Sequence, residues 1–188
     1  MAKMEEADGI ILAAPCYATG VPAVMKNFID RFAYTLHRPC FFDKSFLAVA
    51  TVGGVMGLKQ TLGQLALLSA GGRLVKSVGI SCPPIPMAGF EKRADNKLRK
   101  ASSDYYKSLQ NPRRKAPGIG DFAYFHSFKE FTAFESYQKI CPADASYYGD
   151  KNEYFYTVKA SHVRRLTGRI MKALMRSGLK LLVKSGES

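Results

Sequence analysis

The sequence predicts an α/β chain built on a parallel sheet, and three observations predict it. Three short apolar runs occur in the first 81 residues, each is followed by a stretch of helical period, and the loops between them are short and carry glycine or proline. The order β-α-β-α-β-α implies parallel strands, helices on the sheet faces and right-handed crossovers. No internal repeat interrupts it.

The elements follow in order. Residues 9–15, "GIILAAP", form an apolar run without alternation, which reads as a strand covered on both faces. Residues 16–21 are a loop. Pro22 suits the first position of a helix, where its missing N–H would be unpaired anyway. That helix is expected over about 22–36, with Val24, Phe28, Phe32 and Leu36 on its buried stripe. Lys26, Asp30 and Arg31 read as its solvated face. Residues 45–52, "SFLAVATV", form a second buried strand. "GGVMG" leads into a helix over about 57–70 with Leu58, Leu62, Leu65 and Leu68 or Ala66 inward, and Gly71-Gly72 ends it. Residues 73–81 form a third strand, exposed at its start, and 90–109 a polar helix ending at Asn111-Pro112.

From residue 112 the character changes, giving two expected regions, 1–111 and 112–188. "PRRKAPGIG" is a basic linker. In residues 121–140 Phe122, Phe125, Phe128, Phe131 and Phe134 recur at spacing three, as in a helix packed on a core or on a second copy. "CPADASYYGDKNE" reads as a loop and "YFYTV" as a short strand. Residues 161–184 form a basic helix whose apolar side is Val163, Leu166, Ile170, Leu174, Leu181 and Leu182.

Composition narrows the function classes. The chain has 188 residues, 47% hydrophobic and 23% charged, which is globular composition. The longest apolar runs, Ile10–Pro15 and Phe46–Val52, are too short to span a bilayer. No signal peptide is visible, so a cytoplasmic location is expected. The four cysteines, Cys16, Cys40, Cys82 and Cys141, form no CxxC pair, so neither zinc nor an iron–sulfur site is expected, and each reads as a small buried hydrophobe. His37, His126 and His162 are scattered and read as non-catalytic. The net charge of +13 favours anionic partners. Seven basic residues (Arg164, Arg165, Arg169, Lys172, Arg176, Lys180, Lys184) face one acid, Glu187, in residues 160–188. An anionic membrane surface is therefore a candidate partner of 161–184. Nucleic acid is not expected, because basic and aromatic residues do not interleave.

In an open parallel sheet, ligands bind beyond the carboxyl ends of the strands. Two such ends are Pro15–Gly20 and Thr51–Gly57. Both bring glycine, and Tyr17 and Met56 add a flat ring and an adaptable side chain. That combination suits a planar heteroaromatic ligand.

The stretch "ADGIILAAPCYATGVPAVMKNFIDRF" resembles the NAD(P)H-dependent FMN reductase branch of the flavodoxin-like proteins, in a P-x-Y loop followed by K-x-x-x-D-R. Pro15, Tyr17, Lys26, Asp30 and Arg31 match in order, and "ATVGGVMGLKQTLGQL" is similar to the next strand and loop. The resemblance covers about residues 4–110; "PADASYYGDKNEYFY" and the basic helix resemble the C-terminal extension of a flavodoxin-family subgroup. It implies that Pro15, Cys16, Tyr17, Ala18, Thr19 and Gly20 line the isoalloxazine ring of FMN, and that Thr51, Gly53 and Gly54 meet the ring or its dimethylbenzene edge. It implies hydride transfer from NAD(P)H through flavin to a quinone, flavin or other small acceptor, in a homodimer, with no catalytic acid, base or nucleophile to name. The family's opening strand and phosphate loop have no counterpart before residue 9. The expectation is thus an N-terminally truncated flavodoxin-like sheet, its first strand left as an edge, that binds FMN poorly. The alternative is a non-catalytic flavodoxin-like remnant acting as an interaction or membrane-surface module.

Overall fold

The computed structural model describes residues 2–54, 56–85, 88–158 and 162–185, and it divides into two compact units, Met1–Lys115 and Ala116–Ser188. The first unit runs α1 (Ala2–Glu6), β1 (Gly9–Pro15), α2 (Ala23–Arg31), α3 (Tyr34–His37), β2 (Ser45–Val52), α4 (Leu58–Ala66) with a short 3-10 turn Leu67–Ser69, β3 (Arg73–Ser81) and α5 (Phe90–Gln110). The sheet is parallel throughout in the order β1-β2-β3. The parallel sheet lies between helices, as the sequence predicts.

The two sheet faces are covered differently. On one face Ile10, Leu12, Ala14, Phe46 and Ala48 pack with Ile29 of α2 and with Leu65 and Leu68. On the other, Leu47, Val78 and Ile80 pack under Ala101 and Tyr105 of α5. Gly79 has no side chain, and Leu58 and Leu62 of α4 settle against it. α5 reaches β1 only at its start, where a Cβ on Gly9 would lie 2.6 Å from Leu109 Cδ2. So β1 is not covered on both faces, as its unbroken apolar run had led us to expect. Its burial alternates, and Ile11 is 57% exposed. An edge strand has one neighbour, and a single long helix cannot shield the outermost strand as well as the two beside it.

Three local readings are corrected by backbone geometry. The expected helix over 22–36 is two helices, with Pro22 as the residue just before α2. The amides of Phe32 and Ala33 donate to Ile29 and Asp30, three residues back, which tightens and ends α2. Its inward stripe is Met25, Phe28, Ile29 and Phe32, and Val24 is exposed. Lys26 pairs with Asp30, and Arg31 Nε donates to Asn27, as expected of a solvated face. The helix over 57–70 begins at Leu58 and finishes as the 3-10 turn, with Gly71 at φ 81°.

The second unit runs α6 (Ile119–Phe131), α7 (Glu135–Ile140), α8 (Pro142–Gly149) and α9 (His162–Ser185). The phenylalanine-rich stretch breaks at Thr132–Phe134, again by bonds three residues back, Ala133 to Glu130 and Phe134 to Phe131. The expected loop after Cys141 is instead α8. Pro142 stands at its first turn, and Asp144 there accepts 2.8 Å from the Tyr137 hydroxyl. Lys129 Nζ donates to the Tyr148 carbonyl at 2.9 Å near the far end of α8. "YFYTV" is not a strand; Tyr154 and Phe155 are core, packed with Phe122, Phe125 and Tyr148. These rings meet at centroid distances from 4.9 to 5.8 Å.

α9 packs against α6 at Gly168, where a Cβ would stand 2.5 Å from His126 Nε2. Glu130, 3% exposed, accepts from Arg176 Nε at 2.9 Å and pairs with Lys172 at 3.7 Å. The side chains of His162, Arg164, Lys180, Leu181, Leu182 and Lys184 lie outside the described residues. Val163, Leu166, Ile170 and Leu174 of the expected apolar side are exposed. The close approach at Gly168 and the ion pairs to Glu130 turn the helix so that this row faces outward.

Burial, and after it the nearby Lys172 charge, holds the His126 imidazole below its ordinary pKa, with Lys129 also lowering and Glu130 and Glu153 raising it. The unfolded chain therefore binds the proton more readily, and stability falls as pH drops below about 6.5. The melting temperature of the wild type should drop relative to His126→Gln as pH goes from neutral to acid. Parallel curves for the two proteins would show that His126 titrates alike in both states.

Candidate functional site

The three strand ends lie side by side. Pro15 is opposite Thr51 and Val52 opposite Ser81. The ladder continues past the strands, Cys16 N–H donating to the Thr51 carbonyl and Cys82 N–H to the Val52 carbonyl, both at 2.7 Å. The loops after β1, β2 and β3 thus leave the sheet in one row, where open α/β sheets bind ligands.

The first loop is a closed turn. Tyr17 and Gly20 exchange backbone hydrogen bonds at 2.9 and 3.0 Å. Between them Ala18 and Thr19 take φ 46° and 67°. The left-handed region costs a non-glycine residue roughly 1–2 kcal/mol, and a β-branched residue rarely enters it. Gln64 of α4 holds the loop's end, its Oε1 accepting from Val21 N–H at 2.9 Å. The Tyr17 side chain projects outward, 66% exposed.

The second loop opens with two bare glycines. A Cβ on Gly54 would meet nothing within 4 Å, and one on Gly53 only the Cys82 carbonyl at 4.0 Å. Met56 is exposed, and Val55 lies outside the described residues. Gly57 then starts α4 at φ 86°, and a Cβ there would stand 2.4 Å from Cys16 Sγ and 2.7 Å from Thr19 Cα. Gly57 is needed twice over, for its φ and for the close approach of the two loops.

The third loop borders a cavity of about 500 Å³ between the end of β3 and the start of α5, lined by Ile80, Cys82, Pro83, Ile85, Phe90 and Glu91. The Cys82 carbonyl joins it to the Gly53 loop. The four thiols are free and none is buried, contrary to expectation; Cys40 and Cys82 are exposed, and Cys16 and Cys141 half-buried. Their neighbours are loops and helix ends, which do not close over them. Among the described residues no three histidine, cysteine or acidic side chains gather in a metal-binding group.

The structure brings Pro15, Cys16, Tyr17, Ala18, Thr19 and Gly20 together with Thr51, Gly53 and Gly54 at one end of the sheet. Lys26, Asp30 and Arg31 stay on the surface of α2. Gln64 and the cavity at Cys82 were not foreseen. Gln64 gave no signal, being one polar residue on an amphipathic helix. Cys82 stood beside "PPIP", a chain break that could have marked a third loop at the strand ends.

Tyr17 is exposed on the first loop and Gly53 and Gly54 are open on the second, and an exposed ring with approachable backbone suits a flat heteroaromatic group. Residues 1–77 match the family described as "NADPH-dependent FMN reductase". That match covers less than half of the chain. The chain is 29% identical over 156 residues to an "Iron-sulfur flavoprotein" of Archaeoglobus fulgidus, a match covering 79% of this chain and 66% of that one. The chain therefore spans about two thirds of that relative's length. A solved "flavone reductase" superposes with a TM-score of 0.46 at 14% identity, over 61% of this chain and 47% of that one.

The contact of Gly57 with Cys16 and Thr19 gives a paired expectation. Gly57→Ala should lower the unfolding free energy by roughly 2–4 kcal/mol, from φ strain and backbone overlap together. Thr19→Gly should change it by no more than about 1 kcal/mol in either direction, because relief of strain opposes the greater freedom of the unfolded chain. Urea midpoints measure both. A stable Gly57→Ala would show that the two loops separate at little cost.

Proposed function

We propose that the first unit binds FMN through its ring, and that the protein is an FMN-dependent oxidoreductase taking hydride from NAD(P)H and passing it to a small acceptor. The observation that carries this reading is the locked pair of loops, in which Gly57 holds 16–19 against the start of α4, with Tyr17 exposed on one loop and Gly53-Gly54 open on the other. The match of residues 1–77 to an FMN reductase family supports it. The flavin supplies the hydride chemistry when bound, and the protein supplies binding and orientation.

Tyr17 would lie against the ring. Gly53 and Gly54 let the backbone approach it, and Pro15 and Thr51 set the depth of the shelf. The strained turn at Ala18 and Thr19 fixes where Tyr17 projects. The stretches 15–20 and 51–57 contain no lysine or arginine, so they address the ring rather than the phosphate. The cavity at β3 adjoins this shelf, and its Ile80, Pro83, Ile85 and Phe90 walls suit an uncharged aromatic acceptor of the quinone class.

Quenching of flavin fluorescence on titration with the full chain tests the ring site. Tyr17→Ala and Gly54→Leu should each weaken binding about tenfold, the equivalent of about 1.4 kcal/mol. Riboflavin should bind the shelf within about threefold of FMN, a difference of less than 1 kcal/mol. Quenching that neither substitution alters would sink the ring site. Saturable flavin binding without NAD(P)H-dependent quinone reduction would leave a flavin-binding module in place of an enzyme.

A further inference from the structure

The side of α9 turned away from its own unit is apolar. Leu166, Ile170 and Leu174 are spaced by four and are 58%, 51% and 62% exposed; Val163, also exposed, continues the row. The side that packs is centred on Gly168, with Met171 and Met175 half-buried beside it. Gly168, Lys172 and Arg176, also spaced by four, meet His126 and Glu130 of α6. At about 100° per residue the two rows lie roughly on opposite sides of the helix. A surface helix of a globular domain normally turns a row of leucine and isoleucine inward.

Leu166 to Leu174 extends about 12 Å along the helix axis. Arg169, half-way along, is exposed on the flank of this row. The helix segment carries Arg164, Arg165, Lys180 and Lys184 as well, and no acid between His162 and Ser185. Among the described residues no helix is long and apolar enough to cross a membrane. An apolar stripe flanked by cations on a helix that does not span is the pattern of a helix lying in the headgroup region.

We propose that α9 docks the protein on an anionic lipid surface, Leu166, Ile170 and Leu174 entering the headgroup–acyl boundary and Arg169, with the net positive charge of the helix, meeting acidic headgroups. Charge complementarity selects this occupant. A second copy docking through the same stripe would bring two rows of like charge together. A nucleic acid would be met by the cations, with no use for three leucine and isoleucine side chains. The first unit's flavin reading is not needed for this inference.

The test is co-sedimentation of the full chain with vesicles of neutral phosphatidylcholine and with vesicles containing phosphatidylserine, at low and high salt. Binding is expected to the anionic vesicles at low salt, to weaken at high salt and to be small on neutral vesicles. The triple variant Leu166→Gln, Ile170→Gln, Leu174→Gln should bind about tenfold more weakly with an unchanged helical spectrum, because these exposed side chains leave the protein's own packing intact. Arg169→Glu should weaken binding separately. Absence of binding at low salt overturns the proposal, as does undiminished binding by the triple variant. Light scattering that shows a dimer in the wild type and a monomer in the triple variant assigns the stripe to a second copy. Tight binding of a single-stranded oligonucleotide that the triple variant retains, with weaker vesicle binding, assigns the cations to nucleic acid.

Discussion

Phe46, Ala48 and Ala50 lie on one face of β2 and Leu47 and Val49 on the other, and both faces are covered by helices. β2 also hydrogen-bonds to a parallel neighbour on each side. This doubly paired, doubly covered strand is what the first unit depends on. It sets the register of β1 and β3, and the register brings three strand ends level. Fully burying a side chain such as Phe46 is worth about 1.5–3 kcal/mol, so β2 cannot slip by one residue without turning its core face outward. The row of loops beyond Pro15, Val52 and Ser81 follows from that constraint.

The loops themselves are held by contacts of another kind. Gly57 allows backbone to approach backbone, Gln64 ties Val21, and the Tyr17–Gly20 turn closes on itself. Each restricts the loop ends and leaves the tips exposed. Ala18 and Thr19 remain in a costly conformation because both ends of their turn are fixed. Strain kept in this way, at the strand ends of a parallel sheet, is what makes this loop a candidate site.

The second unit is organised around rings and one buried carboxylate. Phe122, Phe125, Tyr148 and Tyr154 form a core without help from a sheet. Glu130 draws Lys172 and Arg176 to α6. A buried carboxylate left without its cations would be costly, so this contact decides which side of α9 faces inward. The leucine and isoleucine row then has nowhere to go but outward.

The periodicity and spacing of the chain carried most of the sheet. Runs of apolar residues bounded by glycine and proline placed β1, β2 and β3 within their observed limits, because strands in a parallel sheet need continuous apolar sequence. The P-x-Y loop and the glycine pair located the candidate site for a similar reason: loops at strand ends are short and chemically specific. The α8 segment reads as a loop in sequence, although Pro142 and Asp144 at its first turn carry a helix-start signal. Other features had no local signal. The one-sided cover of β1 depends on how far α5 reaches. The breaks after Phe32 and Phe131 depend on hydrogen bonds three residues back. The outward apolar face of α9 depends on Glu130, more than thirty residues away in sequence. Local pattern placed the three strands of the sheet and the glycine and proline breaks between elements. Which face is buried depends on partners distant in the chain, and burial is a property of the packed structure.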